Sequence, residues 1–102
     1  MPLQYRQGDL HFVRQDRRPA EQLVVRPGMV IVAGEATGHA HRLLVGTILE
    51  APDGTLYLDV TQTTQVVHEE HGPITLDPGF WVVMRQREYA PEAIRQVGTV
   101  AD

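Results

Sequence analysis

Two histidines stand one residue apart in GEATGHAHRLL, residues 34–44, and two more stand three apart in VVHEEHGP, residues 66–73. Imidazole titrates near neutral pH and is the commonest nitrogen ligand for transition metals, so these four side chains point to a metal or an acid/base site. Residues two apart on a strand project to the same side with Cα atoms about 6.5 Å apart. His39 and His41 are therefore expected to face one ion together. His68 and His71 would fall on opposite faces of an ideal strand, but Gly72-Pro73 marks a bend that brings such a pair together. If the strand continues, Glu70 shares the face of His68 and serves as a carboxylate ligand or general base, and Glu69 faces away. The expectation is one polar site with His39, His41, His68 and His71 as ligands of a divalent metal and Glu70 as its carboxylate. A set of nitrogen and oxygen donors suits zinc, iron, manganese or nickel, and the sequence does not choose among them. His11 has no partner near it in sequence and stays outside the site.

The remaining chemistry is narrower. The chain has no serine and no cysteine, which removes those nucleophiles, disulfides and thiolate ligands, and fits a reducing, cytoplasmic setting. Thr37 and the run Thr61, Thr63 and Thr64 read as turn and strand residues. GEATGHAH lacks the lysine and spacing of a phosphate-binding loop. In MRQREY, Arg85 and Arg87 share a strand face with Tyr89, and Arg42 approaches from the histidine strand; together they would clamp a small anionic ligand, although a surface ion-pair ladder has the same pattern.

These side chains need elements to hold them. A chain of 102 residues fits one domain, taken as residues 1–102. Nine basic against thirteen acidic residues give a net charge of −4, which leaves no electrostatic footprint for general nucleic-acid binding. Arg14, Arg17 and Arg18 are interleaved with Asp16 and Glu21 and read as a solvated loop. No apolar run approaches the ~20 residues of a membrane-spanning helix, and the N-terminus has no signal region.

Alternation of apolar and polar residues recurs through the chain. Leu10 and Phe12 alternate with His11 and Val13; QLVVR and PGMVIVA flank Pro27-Gly28; HAHRLLV sets His39, His41, Leu43 and Val45 against Ala40, Arg42 and Leu44. TILEAPDGTLYLDV is the clearest hairpin, with Pro52 and Gly54 in its turn. TQVVHEE, PITL and GFWVVMRQREY continue the series, and RPGMVIV is echoed by DPGFWVV. The pattern predicts an all-β fold, a small antiparallel sandwich or barrel, with APEAIRQV as a short C-terminal helix.

The segments GEATGHAHR, HEEHGPITL and QREY resemble a family of short, functionally uncharacterised bacterial and phage proteins, over most of the chain from QGDL onward. That family implies no activity. The order Gly34, His39, His41, Glu50 also resembles the first motif of cupins, small β-barrels, which implies a barrel with a metal on the His-x-His pair. Glu50 lies farther along than in that motif, and LDPGFWVV has no histidine where the second motif places one.

Three function classes follow: a small metal-dependent enzyme in which Glu70 moves protons, a module that binds a divalent metal or small polar ligand without turnover, and a self-assembling structural or adaptor protein whose exposed strands form a homo-oligomer.

Overall fold

The computed structural model describes residues 3–34 and 38–85. Among them the fold is all-β. One antiparallel sheet has six strands, β1 (Gln4–Gln7), β2 (Leu10–Gln15), β10 (Gly79–Arg85), β7 (Leu56–Val60), β6 (Thr47–Glu50) and β3 (Val24–Arg26), in that order across the sheet. The second, also antiparallel, has four: β4 (Val30–Ala33), β5 (Ala40–Leu43), β8 (Thr64–Val67) and β9 (Ile74–Leu76). The anticipated helix over 90–97 lies outside the described residues, as do Arg87 and Tyr89.

The two sheets form a sandwich because alternate residues of each are apolar and turn inward. Leu10, Phe12, Trp81, Val83, Leu58, Val60 and Ile48 of the six-stranded sheet share one buried cluster with Ile31, Leu43, Val66 and Leu76 of the other. Each such side chain, fully removed from water, stabilises by about 1.5–3 kcal/mol. Trp81 is the largest of them, and its indole Nε1 donates to Asp77 O at 3.0 Å, so its polar atom is satisfied inside the core.

The two Pro-Gly signals have the same structural role. Pro27-Gly28 joins β3 of one sheet to β4 of the other, and Pro78-Gly79 joins β9 back to β10. They are crossings between layers, and this shared task accounts for the echo between RPGMVIV and DPGFWVV. The APDG segment makes the anticipated hairpin of β6 and β7, with Gly54 at φ 91° and its N–H donating to Ala51 O at 2.9 Å. β3 closes one edge of the larger sheet and leaves Val24 and Val25 exposed.

Three connections meet at one end of the sandwich. They are the Gly8-Asp9 turn between β1 and β2, the entry into β5, and the 68–73 turn between β8 and β9. The end of β10 reaches the same place, since Arg85 pairs with Leu10.

Candidate functional site

His41 lies two residues before Leu43 on β5 and so shares its inward direction, but it sits where the apolar core gives out. Only 6% of it is exposed. A buried imidazole needs a partner for each nitrogen or a cavity in front of it. Across the gap between the sheets, the equally buried Gln7 ends β1. Its Nε2 donates both hydrogens, to Val66 O at 2.9 Å and to Gly72 O at 2.9 Å. That turns Oε1 toward His41 Nδ1, at 2.8 Å. An amide oxygen only accepts, so His41 Nδ1 carries the proton and Nε2 carries the lone pair. Burial, together with the charges of His68, His71 and Arg85 and against that of Asp9, pushes the His41 pKa down to about 4. His41 is therefore neutral at pH 7, with one fixed tautomer.

Its Nε2 edge looks into a cleft of about 440 Å³ that His39, His68, His71, Asp9, Glu70 and Arg85 also line. The four histidines named from sequence come together there. The His68 ring is central, with centroids 4.5 Å from His41, 4.6 Å from His71 and 5.5 Å from His39. His41 and His71 stack at 6.3 Å. Two nitrogen–oxygen pairs flank the opening, His41 Nε2 with Asp9 Oδ1 at 4.0 Å and His39 Nδ1 with Glu70 Oε2 at 3.8 Å. Two atoms bound to one ion at about 2.0–2.2 Å each stand no more than about 4.4 Å apart, so each gap is short enough for an ion to bridge. Among the described residues, no three histidine, aspartate or glutamate side chains are already drawn together as a ligand set. Asp9 and Glu70 are 60% and 69% exposed, and exposed side chains change rotamer at little cost.

The turn carrying His68 and His71 departs from the expected strand. β8 ends at Val67, and His68 Nδ1 accepts the backbone N–H groups of Glu70 at 3.0 Å and His71 at 3.3 Å. The imidazole takes the part that an Asp or Asn oxygen plays in an Asx turn. This bend, one step earlier than Gly72-Pro73, is what sets the His68 and His71 rings beside one another. It also changes the roles of the two glutamates. Glu69 accepts the Ala40 N–H at 2.8 Å and an Arg42 N–H at 2.7 Å, and these bonds hold its pKa down at about 2. It fastens the turn to β5 and, as expected of a residue facing away from His68 and Glu70, does not line the cleft. Arg42 is accordingly engaged with Glu69 and does not line the cleft. Arg85 does. Glu50, the carboxylate of the cupin-like order, is exposed and lines a separate groove with Val24 and Val25.

Sequence reasoning passed over Gln7, Gly8 and Asp9. The signal available was the Gly-Asp pair as a two-residue hairpin loop between β1 and β2. Gly8 has φ 60°, and a Cβ there would lie 2.8 Å from His71 Nε2 and 3.5 Å from His41 Cε1. Only glycine lets the loop sit this close to both rings.

The model of a family described as a domain of unknown function, DUF8820, matches residues 6–86, and the chain belongs to that family. The match runs through Gln7, Asp9, the four histidines and Arg85. No curated protein and no solved structure matches the chain.

Proposed function

We propose that this member of the DUF8820 family binds one divalent transition-metal ion at the end of its sandwich, on His41 Nε2. The observation that carries the reading is the buried Gln7–His41 hydrogen bond. It places the proton on Nδ1 and keeps Nε2 as a lone pair toward the cleft, while burial of the ring keeps it neutral at pH 7. Metal-bound histidines are oriented in this way, by a carbonyl or carboxylate on the other ring nitrogen. His39, His71, Asp9 and Glu70 supply the further donors, each within reach of the same cleft. When bound, such an ion polarises an oxygen or lowers the pKa of a water. Where His39, His71 and Asp9 complete the ligand set and Glu70 stays off the ion, Glu70 is the carboxylate that takes a proton from a molecule in the cleft, and this is the form an enzymatic activity would take. The cupin likeness lends support through the His39–His41 pair alone, since Glu50 lines a separate groove. The absence of cysteine suits a cytoplasmic protein whose metal is held by nitrogen and oxygen.

The test is metal analysis of protein purified without a polyhistidine tag. One zinc, iron, manganese or nickel ion per chain supports the reading. Protein that neither carries a metal nor takes up one equivalent after chelation and dialysis refutes it.

A second reading, self-assembly, is favoured by one feature. The edge strand β3 exposes Val24 and Val25 at 64% and 62%, and an unpaired apolar edge invites a strand from another copy. Sedimentation of the wild type and of Val25→Lys decides it. A dimer that the substitution dissolves supports self-assembly, and a monomer at high concentration excludes it.

A further inference from the structure

We infer that His68 is a hydrogen-bond donor to a small oxyanion, a carboxylate or a phosphate, and is not a ligand of the metal; this rests on the metal reading above. His68 Nδ1 accepts two backbone N–H groups, from Glu70 and His71. A nitrogen that accepts has its lone pair in use and carries no proton. In a neutral imidazole the proton is then on Nε2, at the other edge of the ring. A protonated Nε2 cannot bind a cation. It can only donate.

His41 and His68 thus stand 4.5 Å apart, centroid to centroid, in opposite tautomers. One offers a lone pair to the cleft and the other offers an N–H. Both tautomers are fixed by bonds on the far side of the ring, to Gln7 in one case and to the 68–71 turn in the other. A site composed only of ligands would gain nothing from a donor at its centre. A site that holds an anion beside an ion needs one.

The second donor is Arg85, which comes from the other sheet and lines the same cleft. Its charge is close enough to contribute to lowering the His41 pKa. A guanidinium and an imidazole N–H together fit the two oxygens of a carboxylate or two oxygens of a phosphate, the third partner being the ion itself. Arg42 is excluded from this role, because it is held by Glu69 at 2.7 Å and does not line the cleft.

The experiment compares wild type, His68→Asn and Arg85→Gln. An Asn at 68 keeps an acceptor for the two backbone N–H groups, so the turn survives, but its shorter side chain does not reach where Nε2 stood. Zinc uptake is measured by calorimetry, and acetate and inorganic phosphate are then titrated separately against the zinc-loaded proteins by NMR. The expected result is one zinc per chain in all three proteins. The anion should bind at least about tenfold more weakly in both variants, the loss that goes with one charge-assisted hydrogen bond. Tighter binding of acetate or of phosphate identifies the class of the natural ligand. If His68→Asn loses zinc while its circular dichroism is unchanged, His68 is a ligand and the inference is overturned. Unchanged anion affinity in His68→Asn overturns it too. A wild type that takes no zinc defeats the metal reading alone, because anion binding to that metal-free protein that is lost in His68→Asn still establishes the donor. Two-bond ¹H–¹⁵N spectra of the wild type give the same answer without a variant: the proton of His68 must lie on Nε2.

Discussion

Gln7 and His41 are joined at 2.8 Å across the gap between the two sheets, and the same Gln7 amide holds Val66 O and Gly72 O. One side chain thereby ties β1 to β8, fixes the start of the glycine-proline segment and sets the tautomer of the most buried histidine in the cluster. Structure and candidate chemistry share these bonds.

Gln7→Ala should therefore fail in two ways. The buried Val66 carbonyl and the His41 N–H lose this partner, which costs roughly 1–3 kcal/mol for each group left unsatisfied, and the more exposed Gly72 carbonyl turns to water. Zinc affinity should fall by about 10–100-fold, the usual effect of removing the group that orients a metal-binding histidine. Urea unfolding measures the first and zinc calorimetry on the folded fraction the second.

Stability of the metal-free protein should fall as the pH drops below neutral. The unfolded chain protonates His41 near its ordinary value of 6.5, whereas the folded chain resists to about 4. Between those values the unfolded state binds more protons, so stability rises with pH across the window and levels off above it. A shift of this size corresponds to at most about 3 kcal/mol. Urea midpoints at pH 7.5 and pH 4.5 for wild type and His41→Gln separate the effect from other titrations. The wild type should lose more stability than the variant over that interval.

Gly8→Ala should destabilise by about 1–2 kcal/mol, from a positive φ that alanine disfavours and from a Cβ set against the His71 ring. The ring has to move, and zinc binding should weaken with it. Thermal unfolding together with zinc titration tests whether the two losses occur together. Gly28→Ala serves as the comparison, because a Cβ there meets nothing within 4 Å although φ is also positive.

Much of this arrangement was legible from residue order, because period-two alternation is a direct signal. Leu10 and Phe12, Leu58 and Val60, and Trp81 and Val83 all alternate inward as their spacing requires. His41 follows from the same rule, being two residues from Leu43. The His68–His71 turn was only half legible. Its glycine-proline signal lies after the bend, and the bend is caused by an imidazole capping its own backbone, a role more often filled by Asp or Asn. The bonds of Glu69 to Ala40 and Arg42 were hidden for the same reason, since face patterns carry no information once the strand has ended. Gln7 was not legible at all, and the Gly8-Asp9 pair signalled a hairpin loop without showing what Asp9 would meet. Each belongs to the site through a contact with a residue more than thirty positions away, and local pattern carries no such information.

Arg42 and Glu69 should behave as fasteners. Arg42→Ala removes an exposed, solvent-screened ion pair, so stability should change little, and anion binding in the cleft should be unchanged, in contrast to Arg85→Gln. NMR titration of acetate and phosphate against the two variants separates them. Equal losses would bring Arg42 back into the site.

The most direct measurement is the ¹⁵N spectrum of the His41 ring in metal-free protein at pH 7, followed through addition of one equivalent of zinc. The expected spectrum shows a proton on Nδ1, a bare Nε2, and a large shift of Nε2 alone when zinc is added. A proton on Nε2, or an Nε2 resonance that zinc leaves in place while the protein stays folded, would contradict it.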